Sequence, residues 1–479
     1  MRQLFDLDAL KPVYDVAVIG AGPSGMAAAA AAAAHDLEVI VLDENPDVGG
    51  QIYRGLRTSP SDRRRVLGST YTAGDELIRE FAQSRGDYLP GAVVWMASRS
   101  LELGVSKSRR SRIIAARRII LATGAFERPF PIPGWTLPGV LTVGAAQGLL
   151  KSSGVAPLGR FVLAGTGPLL WLFASQILSS GHPPVAILDT GRRSRQMWVS
   201  TALPGFLTSE YFPAAIKLVR DVRANIPVIR GVTMLAAEGR AGVSRVTYRR
   251  AGRPPQSIDV DHLLLHQGVV PNAQLSIAAG CAIRWNDRQA CWHPVTDPWG
   301  ETSIESIAIA GDGAGILGAE SASRSGRLCG LNAACKLGRI DTSGRDSAAA
   351  PIRRELERFA RGRRFIDMAF LPDRAFRVAS ADTLVCRCEE IRGRQIAELL
   401  NTHVAIGPNQ LKSFLRCGMG PCQGRQCALT VTEMIAAHRG VSPAAVGSYR
   451  LRFPIKPITV AEVASLPQEP CDVRAVVRM

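Results

Sequence analysis

Five cysteines near the end of the 479-residue chain have the type and spacing that could hold a metal. Cys386 and Cys388 form a C-x-C pair in LVCRCEEI (384–391), and Cys422 and Cys427 form a C-x4-C pair. Thiolates paired in this way bind iron–sulfur clusters or structural zinc. Zinc ligands usually pair as C-x2–4-C, a spacing that the C-x-C pair fits poorly. We therefore predict that Cys386, Cys388, Cys422 and Cys427 hold one [2Fe–2S] cluster, with zinc as the alternative.

The fifth cysteine, Cys417, opens the same glycine-rich stretch, RCGMGPCQGRQC (416–427). Its place at the end of a predicted helix indicates a buried small side chain, and substitution as a ligand is the other option. Arg387, Arg416 and Arg425 stand beside the thiolates, where their charge would offset that of a cluster. The stretches GRQIAELLNTH, GPNQLKSFL and QCALTVTEMIAAH show helical periodicity, so we expect a small helical module around the cysteines.

A second chemical motif lies at the start of the chain, where an apolar run, DVAVIG (15–20), predicts a buried parallel strand. The run leads into a G-x-G-x-x-G turn and then an alanine-rich helix. Gly20 permits the tight turn, Gly22 lets a pyrophosphate approach the backbone, and Gly25 lets helix and strand pack closely. The N-terminus of the helix favours the phosphate charge. The predicted nucleotide contacts in this turn are Gly20, Gly22, Pro23, Ser24 and Gly25.

The next predicted strand, EVIVLD (38–43), ends in Asp43, and Glu44 follows it. A carboxylate at this position accepts hydrogen bonds from ribose hydroxyls, so we assign Asp43 to the ribose, with Glu44 as the alternative. Strand, glycine turn, helix, strand and acid occur in the required order, which a chance glycine turn would not produce. The sequence therefore predicts a dinucleotide-binding domain at the start of the chain.

Three further stretches resemble motifs of flavoproteins that have two dinucleotide-binding domains. They are GGQ (49–51), RIILATGAFERP (118–129) and IAIAGDGAG (307–315). The resemblance implies that the nucleotide is FAD, with Asp312 on its ribityl chain, and that the chain crosses between domains at the ATG turn. It adds a second set of cofactor contacts, namely Gly50, Gln51, Thr123, Gly124, Gly311 and Asp312.

These motifs predict an α/β fold whose chain is divided into four parts. Residues 1–155 and 296–378 form a Rossmann-like FAD domain, which is interrupted by a second nucleotide-binding-like domain at 156–295. The small helical [2Fe–2S] domain spans 379–440. An extended, proline-punctuated tail spans 441–479, and we expect it to drape over the protein's own domains or a partner.

The inserted domain has its own strand and glycine turn, RFVLAGTGPLLW (160–171), at the position of an NAD(P)H site. Leu170 replaces the third glycine, and its side chain should hold helix and strand farther apart. Asp189 could still take a ribose, and Arg192 or Arg193 could take a 2′-phosphate. We expect a retained scaffold whose NAD(P)H site is weakened or lost.

The remaining cysteines and histidines indicate no catalytic group. No cysteine precedes Cys281, so the redox disulfide of the related reductases is absent. His266 ends an apolar strand, where a structural histidine is expected, and His262 and His293 have no partnered carboxylate in the local sequence. The site of substrate oxidation is therefore expected on another chain.

Bulk composition narrows the functional class. The formal net charge is +17, but the excess is scattered arginine without interleaved aromatic residues, so we expect no nucleic-acid partner. The ten cysteines fit thiolates that are kept for a metal in a reducing cytoplasm. No secretory leader or transmembrane span is expected, and peripheral membrane association stays open.

The whole chain resembles the larger, A-type subunits of bacterial opine oxidases. It is also similar to the HcnB-type subunits of hydrogen cyanide synthase and to the alpha subunits of multimeric proline and hydroxyproline dehydrogenases. The matching stretches are LDENPDVGGQIYRG, LGSTYTAGDELIREF, ATGAFERPFPIPGWTLPGV, LLLHQGVVPNAQL, IAGDGAGILGAESA and GMGPCQGRQC. The C-terminal module resembles the bacterioferritin-associated-ferredoxin-like [2Fe–2S] domain.

The resemblance implies an electron-transferring subunit that works with a B-type flavoprotein partner similar to D-amino-acid or glycine oxidases. The partner would oxidise a secondary amine such as an opine or imino acid. Further components that the resemblance implies are FMN at the interface with the partner and a small ferredoxin-like subunit. Two alternatives are a self-contained NAD(P)H-dependent reductase and a non-catalytic subunit that binds ADP or ATP.

Overall fold

The computed structural model describes residues 1–191, 200–402 and 407–467. Its largest sheet has eight strands, most of them parallel, and ends in an antiparallel pair at one side. In spatial order its strands are Arg2–Gln3, Asp87–Pro90, Val39–Asp43, Val13–Ile19, Arg110–Leu121, Glu102–Lys107 and Val93–Ala97, and Ile307–Ile309 pairs with Arg110–Leu121.

The central strands of this sheet are continuous apolar runs because both faces are covered. On one face, the alanine-rich helix Pro23–Ala33 packs against helix Ala319–Lys336. A Cβ atom at Gly326 would overlap the carbonyl oxygen of Ser24, so the two helices touch backbone to backbone. Small residues on both helices therefore allow this close packing, which brings the late part of the chain against the first glycine turn.

A second sheet of five parallel strands follows in the inserted part of the chain. In spatial order its strands are Val228–Arg230, Ala186–Asp189, Phe161–Gly165, His262–His266 and Val140–Thr142. A three-stranded antiparallel sheet, made of Val232–Glu238, Arg245–Arg250 and Gln256–Asp259, covers one side of it. Two-stranded pairs join Ala125–Glu127 to Val269–Pro271 and Ile283–Asn286 to Cys291–Pro294.

The cysteine-rich part of the chain is a small helical module with its own apolar core. It contains a short strand pair, Leu384–Cys386 with Ile391–Arg392. Helices Gly393–Thr402, Pro408–Leu415 and Ala428–Arg439 follow, as the periodicity of the sequence predicts. The predicted α/β flavoprotein fold with a small helical C-terminal part is confirmed.

The C-terminal segment lies across the protein's own surface but is not extended throughout. Short helices form at Pro443–Val446 and Val460–Ala464, because Ser442 and Thr459 cap their first turns with side-chain hydrogen bonds. Between the two helices, Ile455 is buried in the core of the first sheet, and its N–H donates to the carbonyl of Trp95 at 3.0 Å. The segment therefore ties the helical module to the first sheet.

The remaining helices connect these sheets. They are Ser61–Leu67, Ser69–Thr72, Gly74–Gln83, Val143–Ser153, Pro168–Ser179, Leu203–Leu207, Tyr211–Asn225, Gln274–Ala279 and Thr342–Ala369, with 3-10 turns at Leu56–Thr58, Gly311–Gly313 and Arg374–Phe376. Within the described ranges, none of the helices has both the length and the apolar character needed to cross a bilayer.

Candidate functional site

The first glycine turn has the geometry of a nucleotide-binding turn. Gly20 has φ +107°, and its N–H donates to the carbonyl of Leu42 at 2.7 Å. A Cβ atom on Gly25 would overlap the carbonyl oxygen of Gly20, so only glycine allows helix and strand to pack this closely. A Cβ on Gly22 would meet only the Cα of Gly50, at 3.7 Å. The space above Gly22, in front of the helix N-terminus, is therefore open for a phosphate.

The two acidic residues after the second strand have different surroundings. Asp43 is buried, and its carboxylate accepts hydrogen bonds from the N–H of Ala21 at 2.5 Å and of Asn45 at 2.6 Å. Glu44 is half exposed and forms an ion pair with Lys456 of the C-terminal segment. Asp43 thus fixes the shape of the glycine turn, and Glu44 is the more accessible carboxylate at the predicted ribose position.

The other predicted cofactor contacts converge on the same turn. Gly50, which precedes Gln51, lies directly against Gly22, while Gly311 lies against Ser24. Thr123, which precedes Gly124, donates its hydroxyl proton to the carbonyl of Asn272 at 2.8 Å. The structure therefore brings together the following predicted positions from distant parts of the sequence: Gly20, Gly22, Pro23, Ser24, Gly25, Gly50, Gln51, Thr123, Gly124 and Gly311.

Asp312 has a structural role as well as its predicted place. Its carboxylate accepts from the N–H groups of Leu317 at 2.8 Å and Gly318 at 3.0 Å, which closes the loop before helix Ala319–Lys336. Burial raises the pKa of Asp312 above its ordinary value, and these two hydrogen bonds act in the opposite direction. Its assignment to a ribityl chain stays a prediction.

The second glycine turn differs from the first. Leu170, at the third glycine position, is buried and packs into the core. Gly167 has φ +143°, whereas its counterpart Gly22 has φ −76°. A Cβ atom on Gly167 would overlap Nε2 of His266, so an imidazole lies against the turn. Asp189 accepts from the N–H of Gly191 at 2.8 Å.

Two residues that the sequence associates with this turn, Arg192 and Arg193, lie outside the described residues. The structure therefore shows the turn and its acid but does not test the assignment of a 2′-phosphate to these arginines.

His266 forms a buried pair that local sequence does not reveal. Its Nδ1 lies 2.5 Å from a carboxylate oxygen of Glu127, and the other oxygen of Glu127 accepts from the N–H of Gly144 at 2.7 Å. The pair joins the domain crossover to the first turn of helix Val143–Ser153. Because the two partners are 139 residues apart, only the register of the strands could have predicted it. Both partners are nearly buried, in agreement with the structural role expected for His266.

The predicted metal site is a group of buried thiols. The Sγ atoms of Cys386, Cys417 and Cys427 lie within 4.8 Å of one another, and all three side chains are buried. Hydrogen bonds from the thiols of Cys417 and Cys427 lower the pKa of Cys386 to about 2, so Cys386 is a thiolate at neutral pH. The burial expected for Cys417 is observed, and the structure also places it at the centre of the thiol group.

The other two predicted ligands lie at the more exposed edge of the same group. Cys388 and Cys422 are half-buried and interact with each other, and burial is the main cause that raises the pKa of Cys388. Gly420 must be glycine because a Cβ there would overlap the Cβ of Cys388. All four predicted ligands thus lie in one part of the module, and whether Cys417 also binds a metal stays untested.

The arginines beside the thiols also hold the module in place. Arg416 pairs with Glu389 at 3.0 Å, and the guanidinium of Arg387 lies 5.4 Å from the ring centroid of Trp135. The indole N–H of Trp135 donates to the carbonyl of Leu384 at 2.8 Å, two residues before Cys386. The ligand loop is therefore anchored directly on the flavoprotein part of the chain.

A buried ion pair supports the same contact. Arg377 pairs with Glu433 of helix Ala428–Arg439, and both side chains are nearly inaccessible to solvent. Phe376, next to this arginine, packs edge-on against Phe130 at a centroid distance of 5.5 Å. The module is thus held by apolar and charged contacts to residues that follow the ATG turn.

The histidines provide no evident catalytic base. His293 is buried against Gly315, and burial lowers its pKa to about 4. Buried ring nitrogens of His262 and His293 lack hydrogen-bond partners among the described residues. Neither has a carboxylate positioned to activate it, in agreement with the expectation that substrate oxidation takes place elsewhere.

Comparison with known families supports the fold. Residues 14–327 match the pyridine nucleotide-disulphide oxidoreductase family, and residues 408–466 match the sarcosine oxidase A3 domain. L-proline dehydrogenase from P. horikoshii is similar in structure, with a TM-score of 0.67 and 18% identity over 96% of this chain and 80% of that chain. Thioredoxin reductase from T. acidophilum has a TM-score of 0.50 and 19% identity over 68% of this chain and 99% of that chain.

Comparison with characterised relatives gives the family. The chain is 44% identical to the A-type subunit of opine oxidase from Rhizobium meliloti, over 99% of this chain and 92% of that protein. It is 45% identical to the A-type subunit of opine oxidase from Agrobacterium tumefaciens (strain Ach5), over 99% and 96%. It is 30% identical to hydrogen cyanide synthase subunit HcnB from Pseudomonas aeruginosa, over 96% and 99%. The chain, an oxidoreductase by fold and by relationship, therefore belongs to the family of A-type opine oxidase subunits.

Proposed function

We propose that this chain is the electron-transferring subunit of a heteromeric enzyme that oxidatively cleaves an opine or a related secondary amine. Its relatives are named as subunits, which supports a heteromeric assembly. In this proposal a flavoprotein partner, similar to D-amino-acid or glycine oxidases, oxidises the amine. The chain described here receives the electrons and passes them on.

The observation that carries the proposal is one group of thiols mounted on a nucleotide-binding fold. Cys386, Cys417 and Cys427 are gathered in a buried site, with Cys388 and Cys422 at its edge. A thiolate-rich site with soft ligands suits iron–sulfur or zinc chemistry rather than acid–base catalysis. Its position on a flavoprotein fold favours electron transfer.

We assign Cys386, Cys388, Cys422 and Cys427 as the ligands of one [2Fe–2S] cluster. When bound, such a cluster exchanges one electron at a time, which complements a flavin that takes two from an amine. The protein's own contribution is to keep Cys386 ionised, to bury most of the ligands, and to fix the ligand loop through Trp135. These features fit a cluster, and Cys417 is the one competing ligand.

We infer that FAD occupies the first nucleotide site. The open space over Gly22 and the N-terminus of helix Pro23–Ala33 would bind its pyrophosphate, and Glu44 or Asp43 would bind the ribose. ADP or ATP would use the same contacts, so the fold of this site is compatible with either nucleotide. Identification of the nucleotide released from purified protein, by mass spectrometry, separates them.

A self-contained NAD(P)H-dependent reductase is the second candidate, and two observations disfavour it. Leu170 fills the position of the third glycine, and the imidazole of His266 lies against Gly167. A pyrophosphate needs close access to backbone N–H groups at such a turn. We therefore propose that residues 156–295 are a nucleotide-binding scaffold that does not accept electrons from NAD(P)H.

A pair of serine variants tests the ligand assignment within the intact complex. Cys422→Ser should abolish the electron paramagnetic resonance signal of the cluster and stop reduction of the acceptor. Reduction of the partner's flavin by substrate should stay largely intact. Cys417→Ser is the matched control and should retain the cluster. Loss of the cluster in Cys417→Ser together with its retention in Cys427→Ser would show that the ligand set is wrong.

A further inference from the structure

The aromatic ring of Tyr449 lies among the thiols although the sequence places it in the C-terminal tail. Its ring carbons would come within 2.7 Å of a Cβ on Gly418 and 2.9 Å of a Cβ on Gly424, so both glycines make room for it. The ammonium of Lys412 lies 5.3 Å from the ring centroid. Tyr449 is only 3% exposed and belongs to the core of the helical module.

The hydroxyl of Tyr449 is buried without a partner. It interacts electrostatically with Cys386, Cys417 and Cys427, yet no atom of the described residues forms a hydrogen bond with it in acceptable geometry. An unsatisfied buried hydroxyl costs about 1–3 kcal/mol, a cost that phenylalanine would avoid at the same position. A hydroxyl in this place is therefore expected to meet an acceptor that occupies the thiol site.

We propose that the Tyr449 hydroxyl donates a hydrogen bond to a sulfur atom of the iron–sulfur group held by these thiols. This inference rests on the cluster assigned above. The reduced cluster carries more negative charge on its sulfurs, so the bond is stronger in the reduced state and raises the reduction potential. Tyr449 thus makes this protein a better electron acceptor for the partner flavin.

Two substitutions at this position should move the potential in opposite directions. Tyr449→Phe keeps the ring between Gly418 and Gly424 but removes the donor, so the midpoint potential should become more negative. A tenfold change in the electron-transfer equilibrium corresponds to about 59 mV for one electron, and we expect a shift of that order. Site-specific 3-fluorotyrosine keeps the ring and makes the hydroxyl a stronger donor, so the potential should become more positive.

The control is Tyr248→Phe, which removes a hydroxyl from a similarly buried ring in a different core. Potentials are measured by redox titration followed by electron paramagnetic resonance, with iron and sulfide counted in each sample. An unchanged potential in both Tyr449 variants, with the cluster present, would overturn the inference and leave the proposed function intact. A wild-type protein without iron would overturn the proposed function itself. If Tyr449→Phe does not assemble, the 3-fluorotyrosine protein alone decides, since an unshifted potential there contradicts the hydrogen bond.

Discussion

Replacing Gly22 with alanine should remove the nucleotide without harming the fold. The backbone of Gly22 has φ −76° and ψ −177°, which alanine adopts freely. Its new methyl group would meet only the Cα of Gly50, at an ordinary contact distance of 3.7 Å. Since Gly22 is the N-cap of helix Pro23–Ala33, the free energy of unfolding should fall by only about 1 kcal/mol. The methyl group occupies the space for the pyrophosphate, so affinity should fall at least ~100-fold, or about 2.8 kcal/mol.

Gly25→Ala is the matched comparison, because it should have the opposite effect. Its methyl group would overlap the carbonyl oxygen of Gly20 and crowd the side chain of Ala122. Such overpacking costs about 3 kcal/mol or more, so this variant should unfold early even without nucleotide. Thermal unfolding of nucleotide-stripped proteins and the nucleotide content of freshly purified proteins separate the two effects. A Gly22→Ala protein that retains one nucleotide per chain would refute the reasoning.

Three further outcomes are expected. Neither NADH nor NADPH should bleach the flavin rapidly in stopped-flow measurements, because Leu170 and His266 fill the second turn; fast bleaching by either would favour the reductase. Arg377→Met should lower the free energy of unfolding by about 3–5 kcal/mol in denaturant titrations, because Glu433 is buried and loses its ion pair; a change below about 1 kcal/mol would contradict this. Burial lowers the pKa of His293 to about 4, so the unfolded chain binds the extra proton below its ordinary value of 6.5. Stability should therefore fall as the pH drops from 6.5 towards 4, by up to roughly 3 kcal/mol, and acid unfolding of His293→Gln should lack that part of the fall.

The first nucleotide site could be predicted from sequence because its geometry is encoded locally. Strand Val13–Ile19, the glycine turn and strand Val39–Asp43 all occur where the apolar runs place them. The requirement for glycine at Gly20 and Gly25 arises from contacts within one strand–turn–helix unit and the strand beside it. Such short-range constraints leave a readable pattern of residue types.

Features that depend on distant contacts could not be predicted in this way. The Glu127–His266 pair joins two strand ends that only the folded topology brings together. The position of Cys417 beside Cys386 likewise depends on how the glycine-rich loop folds back over the short strand pair. Tyr449 lay beyond the predicted module because nothing in its own neighbourhood marks it as a partner of the thiols.

The tail shows the same limit from another direction. Its prolines predict an extended segment, but the local capping residue Thr459 starts a helical turn that the proline pattern does not indicate. The tail does lie over the protein's own domains, since Ile455 is buried in the first sheet's core and its carbonyl accepts a hydrogen bond from Arg425 at 3.1 Å.

The central claim is that the thiol group holds an iron–sulfur cluster that relays electrons. The most direct measurement is the iron, sulfide and zinc content of the protein purified without oxygen, together with its electron paramagnetic resonance spectrum after reduction. We predict two iron atoms and two sulfide ions for each chain, and a signal from one reduced [2Fe–2S] centre. One zinc ion per chain, with no iron and no signal, would contradict the account.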